Sequence, residues 1–169
     1  MRLFLAILPD EPVERALLGS ITALKEQGVR ANYTRPENLH LTLAFLGETE
    51  RVEGAMAAMR QAALSSRPFE FELDKMGRFG DLLWVGLKQN EELLRLVKDL
   101  QDALLAQGFQ IERGKFKAHI TVARRAETQG PIRGMILPAG MTVQRLSLMK
   151  SERKNGLLCY TEIGSAALR

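Results

Sequence analysis

The sequence predicts a fold of mixed helices and strands, built as one domain from two related halves that face each other across a cleft. The first observation is a pattern of His, aliphatic, Thr, aliphatic, which begins at His40 and again at His119, the only two histidines of the chain. The second is that a strand, a helix and a glycine-ended turn precede each copy. The third is length, since 169 residues, 46% of them hydrophobic, suffice for one substantial core. We therefore expect residues 1–169 to form a single domain of two pseudo-symmetric halves.

The first half opens with a short apolar strand over residues 3–8. Asp10 follows this strand and is placed to cap a helix whose apolar side chains recur at helical spacing, and Gly28 is placed to end that helix. Residues 33–38 predict a loop that leads into the strand of the first His/Thr copy, which Gly47 ends.

The middle of the chain predicts a helix capped near Thr49, followed by two strands. Residues 69–74 alternate apolar and acidic side chains, which is typical of a strand with one buried face. Residues 82–87 predict a second strand, which carries the only tryptophan, Trp84. A turn over residues 77–81 is expected to join these strands.

The second half repeats the pattern and then adds two strands. Asn90 is placed to cap a third helix that Gly108 ends, and the strand of the second His/Thr copy comes next. Residues 124–140 predict a long polar connection. Two closing strands over residues 141–149 and 157–163 are expected to form a hairpin, because an Asn-Gly pair lies between them.

The repeated pattern places chemical groups on one face of each strand. Successive side chains of a strand point to opposite faces, so His40 and Thr42 share a face, as do His119 and Thr121. Histidine titrates near neutral pH, so one copy can act as a base while the other acts as an acid. Each threonine hydroxyl can donate a hydrogen bond to a phosphate oxygen. The pair therefore suits the transfer or hydrolysis of a phosphoester.

Charge supports an anionic ligand. The net charge is +4, and residues 86–169 carry 14 Lys or Arg against 8 Asp or Glu. Several cations flank the second His/Thr copy: Arg113, Lys115, Lys117, Arg124 and Arg125. Such a distribution is typical of a surface that binds a phosphate backbone.

Composition excludes several other classes of protein. The lone Cys159 forms no intramolecular disulfide, and the opening apolar run is too short for a secretion signal, so we expect a cytoplasmic protein. No apolar run approaches the roughly 20 residues that span a bilayer, so we expect no membrane partner. Two histidines and one distant cysteine are too few for zinc, which needs three or four clustered ligands. No phosphate-binding Gly-Lys-Ser/Thr loop or Gly-x-Ser-x-Gly elbow occurs.

The paired His-x-Thr-x motifs on duplicated halves resemble the 2H phosphoesterase superfamily, and within it the RNA 2′,3′-cyclic phosphodiesterases, also termed 2′-5′ RNA ligases. The resemblance covers most of the chain. Its segments are Arg2–Ala6, Glu37–Gly47, Gly77–Phe79 before Trp84, and Phe116–Arg124. One departure is Ala118, where many relatives place proline before the second histidine.

This resemblance implies an α+β, bilobal fold in which two antiparallel sheets line a central cleft and the helices lie outside. It implies hydrolysis of a 2′,3′-cyclic phosphate to a 2′-phosphate without a cofactor or metal. His40 would be the proton donor to the leaving 3′ oxygen and His119 the proton acceptor that activates water, while Thr42 and Thr121 would bind the phosphate. Arg124 matches a phosphate-binding arginine of the family, but regular alternation turns it away from the histidine face, so it reaches the phosphate only if the strand ends or bulges.

Several alternatives stay open at this stage. The chain could be a noncatalytic RNA-binding module, with Tyr33 or Phe79 stacking on bases, although ordinary packing is the better explanation of both aromatics. The substrate could be RNA with 2′,3′-cyclic phosphate ends, such as tRNA fragments, or a small cyclic-phosphate nucleotide. Reverse 2′-5′ ligation is a further possibility, and spacing alone does not assign acid and base. We expect a monomer with no obligate protein partner.

Overall fold

The computed structural model describes residues 1–128, 130–134 and 136–169. In these residues it has three helices and nine strands. The elements run β1 (Arg2–Ile7), α1 (Glu11–Glu26), β2 (Arg30–Tyr33), a 3-10 turn (Pro36–Asn38), β3 (Leu41–Glu48), α2 (Val52–Leu64), β4 (Phe69–Phe79), β5 (Leu82–Leu87), α3 (Glu91–Ala106), β6 (His119–Glu127), β7 (Gly140–Val143), β8 (Arg145–Lys154) and β9 (Leu157–Ala167).

The strands form two antiparallel sheets. Sheet A has the order β3-β1-β8-β9, and sheet B has the order β2-β6-β5-β4-β7. Helix α1 contacts β6 and β7, whereas α2 contacts α3, β8 and β9. The predicted α+β, bilobal fold with two antiparallel sheets lining a cleft is therefore confirmed. No helix in the described parts of the chain has the length and apolarity needed to cross a membrane.

The two sheets share a strand order that matches the duplication in the sequence. The run β3-β1-β8-β9 of sheet A corresponds to β6-β5-β4-β7 of sheet B, so each His/Thr strand lies beside the strand that precedes its helix. Helices α1 and α3 each span 16 residues and begin alike, since Asp10 and Asn90 each accept a hydrogen bond from the backbone N–H three residues along. They also end alike, because Gly28 and Gly108 follow with φ of 79° and 86°. The division into two halves stays a prediction, and these correspondences support it.

Strand β1 is buried on both faces and separates the core from the cleft. Leu3, Leu5 and Ile7 point into the main core, which also contains the apolar faces of the three helices. Phe4 and Ala6 point the other way and join a second cluster of buried side chains on sheet A. This second cluster forms the apolar floor on which the first histidine rests.

Strand bounds differ from the sequence prediction in the long hairpin and around the second histidine. Strand β4 continues to Phe79, so the turn predicted over residues 77–81 shrinks to Gly80 and Asp81. Strand β6 continues to Glu127, into the stretch predicted as a connection. Strand β2 was not predicted at all, because its side chains are only exposed or half-buried and carry no apolar alternation. Backbone pairing with β6 defines it instead.

The closing segment also differs in part. The single strand expected over residues 141–149 is two strands, since the chain leaves sheet B after β7 and enters sheet A with β8. The predicted hairpin turn is confirmed, because Asn155 and Gly156 have φ of 52° and 77°, as a tight hairpin turn requires. The polar connection predicted over residues 124–140 includes Gln129 and Met135, which lie outside the described residues.

The predicted cap of the second helix is wrong. Arg51, not Thr49, occupies the N-cap position of α2, and its side chain makes no capping bond. The Thr49 hydroxyl instead accepts the backbone N–H of Arg51 at 3.1 Å. The helix therefore begins two residues later than a threonine cap would place it.

Candidate active site

Both histidines stand at the start of the His/Thr strand of their own copy. The Nδ1 atom of His40 lies 2.7 Å from the carbonyl oxygen of Asn38, and the Nδ1 atom of His119 lies 2.7 Å from that of Lys117. Because a carbonyl oxygen only accepts, Nδ1 is the protonated nitrogen of each neutral ring. Both imidazoles therefore keep Nε2 for proton transfer.

The two copies share one cleft, since strands β3 and β6 contact each other. Burial lowers the pKa of His40 from its ordinary value of 6.5, although the hydrogen bond to the Asn38 carbonyl opposes this. The positive charges of Arg124 and His119 lower the pKa of His40 further. Both residues lie on sheet B, so the second copy is within electrostatic reach of the first histidine. These effects favour neutral His40, and a bound anion would oppose them.

Two aromatic rings hold the His40 imidazole. The ring of Phe4 is 4.9 Å away, and the ring of Tyr160 is 5.0 Å away and almost perpendicular, at 89°. Phe4 is buried, and Tyr160 comes from β9, two strands away from β1. These contacts and the Asn38 carbonyl restrict rotation of the imidazole.

The His119 imidazole has a similar aromatic environment. The ring of Phe79 lies 5.4 Å away, edge to face, and the ring of Trp84 lies 6.0 Å away. The Lys117 Nζ atom is 4.8 Å from the centroid of Trp84, within cation–π range. Trp84 lies against Gly77, where an added Cβ would come within 2.2 Å of the indole. The indole N–H is buried and has no acceptor among the residues that the structure describes.

The threonines lie where the strand period predicts. Thr42 and Thr121 are both half-buried, and they pair with Ala6 on β1 and Trp84 on β5. In the described residues neither hydroxyl forms a hydrogen bond, although the backbone carbonyl of Thr121 accepts one from the Thr34 hydroxyl. Both hydroxyls can therefore donate to a ligand in the cleft.

A β-bulge follows the threonine of the second copy and redirects Arg124. The residues on either side of Val122 pair with consecutive residues of β5, so Val122 has no partner on that strand. The extra residue reverses the alternation beyond it, which buries Ala123 and exposes Arg124. Regular alternation would have turned Arg124 away from the cleft. Because of the bulge, Arg124 lies on the same face of β6 as His119 and acts electrostatically on His40.

The first copy has the same bulge but a different side chain beyond it. The residues on either side of Leu43 pair with the consecutive residues Leu5 and Ala6, so Leu43 is the extra residue of β3. Phe45 then takes the place that Arg124 has in the second copy, and it is 68% exposed opposite Phe4. The two sides of the cleft therefore differ here, with an aromatic ring on sheet A and a cation on sheet B.

Two aromatic side chains considered from the sequence have different environments. Tyr33 is half-buried, and its hydroxyl donates to the carbonyl of Val29 at 2.5 Å, which is a packing role. Phe79 is 45% exposed beside His119 and is not ordinary core. Tyr160 was missed, because every side chain of β9 is exposed or half-buried, so the strand carries no buried alternation, and only its pairing with β8 brings the ring to His40.

The charged groups around the cleft include cations that face the histidines and others that do not. Lys150 pairs across from Leu3, on the core-side face of sheet A, and its ammonium lies 3.4 Å from Glu152, so this cation does not face the histidines. Within the described parts of the chain, no three His, Cys, Asp or Glu side chains cluster closely enough to hold a metal ion. Among the described residues, the cleft thus presents two imidazoles, two threonine hydroxyls, the Arg124 guanidinium and, beside His119, the Lys117 ammonium, a set suited to acid–base chemistry on a phosphate.

Comparison with known proteins agrees with this chemistry. The family model described as the 2′-5′ RNA ligase superfamily matches residues 9–155. An RNA 2′,3′-cyclic phosphodiesterase of Archaeoglobus fulgidus is 34% identical over an alignment that covers 73% of this chain and 72% of the relative. Another, of Thermus thermophilus, is 30% identical and covers 100% of this chain and 91% of the relative. The crystal structure of E. coli LigT complexed with 3′-AMP superimposes with a TM-score of 0.78 at 26% identity, covering 99% of this chain and 96% of LigT.

Proposed function

The chain belongs to the 2′-5′ RNA ligase superfamily, and from this premise we propose that it is an RNA 2′,3′-cyclic phosphodiesterase that uses two histidines as general acid and base. The proposed reaction converts the 2′,3′-cyclic phosphate at an RNA end to a 2′-phosphomonoester. The observation that carries the proposal is the matched pair of imidazoles. His40 and His119 are each tied through Nδ1 to a backbone carbonyl, and each has a threonine two residues along.

In the proposed mechanism, His119 Nε2 takes a proton from water as the water oxygen attacks phosphorus. The bond between phosphorus and the 3′ oxygen breaks, and protonated His40 gives its Nε2 proton to that oxygen. The products are a 2′-phosphate and a free 3′-hydroxyl. His119 thus ends the step protonated and His40 ends it neutral. Proton exchange with water restores the starting state.

Binding of the phosphate anion would favour the protonated form of His40, which the acid role requires. The hydroxyls of Thr42 and Thr121 donate to the non-bridging oxygens, and Arg124 neutralises charge that develops there. The phosphate anion near His40 favours its imidazolium form, which opposes the effects of burial and of Arg124 on the pKa of that ring. His40 would therefore become an effective acid when substrate binds.

The same groups suit a second reaction, 2′-5′ ligation, in which an RNA 5′-hydroxyl attacks the cyclic phosphate in place of water. An RNA 5′-hydroxyl that takes the place of water would give its proton to His119 and attack the cyclic phosphate, and the 3′ oxygen would leave with a proton from His40. The product is a 2′-5′ phosphodiester. We propose this ligation as a second outcome of the same site, favoured where 5′-hydroxyl ends are concentrated.

A panel of substrates tests the proposal. Purified protein should hydrolyse 2′,3′-cyclic phosphates and leave linear 3′-5′ diesters intact, and the product phosphate should reside on the 2′ oxygen. Phosphorus NMR or digestion by a 3′-specific phosphatase distinguishes the two positions. Tight RNA binding without turnover would instead indicate a noncatalytic binding module, and a 3′-phosphate product would overturn the assigned leaving group.

A further inference from the structure

A groove of about 710 Å³ opens beside the candidate active site on sheet B. Its walls come from β4, β5, the start of α3 and the segment before β6. It is termed the lysine groove, because Lys75, Lys88, Lys115 and Lys117 line it. Its volume lies within the range of roughly 300–1,000 Å³ that is typical of ligand sites.

The lysine groove is continuous with the surroundings of His119. Trp84 lines the groove, and its ring centroid is 6.0 Å from that of His119. Gly86 also lines it and pairs directly with His119 across β5 and β6. Lys117 is a third shared residue, since its carbonyl holds the His119 ring. A ligand in the groove can therefore extend to the histidine without leaving the protein surface.

The charge of the groove suits a polyanion. Among the described residues that line it are four lysines and one aspartate. The Lys88 ammonium lies 2.6 Å from the Glu72 carboxylate, whereas the other three lysines form no ion pair with any residue that the structure describes. Between the cations lies an apolar floor that includes Leu93, Leu94 and Phe116. Trp84 and Phe116 line the groove as well, and cations beside aromatic rings are the combination that binds single-stranded nucleic acid.

We propose that the lysine groove binds the RNA strand upstream of the reacting end, taking the nucleotides immediately 5′ to the cyclic phosphate. This inference rests on the proposed function. A 2′,3′-cyclic phosphate occupies the 3′ end of its RNA, so the strand leaves the active site in the 5′ direction only. A groove that leads away from His119 with phosphate-binding lysines and an apolar floor matches that path. The groove makes the enzyme favour oligonucleotides over mononucleotides.

The test compares two substrates with the same reacting end: adenosine 2′,3′-cyclic phosphate, and a trinucleotide that ends in it. Wild-type protein should show the higher kcat/KM with the trinucleotide. The variant Lys75→Ala/Lys115→Ala should lower kcat/KM for the trinucleotide on the order of 10-fold, through KM, and change it less than about 2-fold for the mononucleotide. The matched control is Arg60→Ala/Arg67→Ala, which removes two exposed cations outside the groove and should affect neither substrate.

Salt dependence supplies a second readout. Each phosphate contact of a single strand contributes about −0.7 to the slope of log affinity against log salt. The Lys75→Ala/Lys115→Ala variant should therefore have a slope shallower by about 1.4 with the trinucleotide, and an unchanged slope with the mononucleotide. Thermal unfolding should match the wild type, because both lysines are exposed.

Three results would overturn the inference: equal losses on both substrates, no loss with the trinucleotide, or the same loss in the control variant. Measuring the affinity for the reaction product keeps the test of the groove independent of turnover. Fluorescence anisotropy with the 2′-phosphorylated trinucleotide should show a Kd raised on the order of 10-fold in the double variant. If the wild-type protein turned over neither substrate, the proposed function would be overturned. A Kd that was still raised in the double variant would then support the groove independently of turnover.

Discussion

Replacing Gly77 with alanine should disturb the candidate active site through Trp84. A Cβ at position 77 would lie 2.2, 2.3 and 2.8 Å from three carbon atoms of the indole. Carbon atoms in contact prefer about 3.5–4.0 Å, so the indole or β4 must move by more than 1 Å. Trp84 packs against Phe79, Lys117 and His119, and its displacement should reach all three.

The size of the effect follows from this overlap. Overpacking of a buried site typically costs about 1–3 kcal/mol, which should lower Tm by roughly 2–12 °C for a chain of this length. A shift of about 1 Å in a positioned catalytic group can cost on the order of 10²-fold in rate, so kcat for a 2′,3′-cyclic substrate should fall measurably. Trp84 is the only tryptophan, so intrinsic fluorescence reports its environment directly. The emission maximum of Gly77→Ala should shift from that of the wild type.

The matched control is Gly130→Ala. A Cβ there meets no atom within 4 Å, and the residue has no positive φ, so emission, Tm and kcat should all stay at wild-type values. The reasoning is refuted if Gly77→Ala also leaves all three unchanged, because the indole would then not lie against Gly77.

Three more outcomes follow from the site. On lowering the pH from 8 to 5, the wild type should lose more stability than His40→Gln. Because the folded pKa of His40 is lowered, the unfolded chain binds a proton more readily as pH drops below about 6.5; identical Tm profiles would contradict this. Arg124→Ala should lower kcat/KM on the order of 10²-fold, whereas Arg125→Ala, on the neighbouring position, should have little effect; equal losses would count against the role of the bulge. Turnover should survive exhaustive EDTA treatment, and rescue by one specific divalent ion after loss of activity would show that the histidines bind metal.

Elements with a strong local signal could be predicted from the sequence. Asp10 and Asn90 cap their helices as expected, because a side-chain acceptor before an amphipathic run needs no tertiary contact to act. The joint role of His40 and His119 stays a prediction, and it rests on a different kind of signal, since repetition of a rare residue in one context is informative without any structural data.

Features that depend on partners distant in sequence could not be predicted. Strand β2 is defined by backbone bonds to β6, so its side chains carry no pattern. The crossing between sheets at Gln144 was hidden, because Val143 and Leu146 are both buried and the apolar pattern continues through the break. The bulge at Val122 depends on its register with β5, and it decides whether Arg124 faces the cleft.

The central claim is that His40 protonates the leaving 3′ oxygen while His119 activates water. The most direct test uses a 2′,3′-cyclic substrate whose 3′ bridging oxygen is replaced by sulfur, because a thiolate, from a thiol of pKa about 8.5, leaves without a proton. With the oxygen substrate, His40→Ala and His119→Ala should each lose about 10²- to 10⁴-fold in kcat. With the sulfur substrate, His40→Ala should recover most of its loss, and His119→Ala should stay impaired. Recovery by His119→Ala alone would mean that the roles are exchanged, and a folded histidine variant with wild-type activity on the oxygen substrate would contradict the two-histidine mechanism.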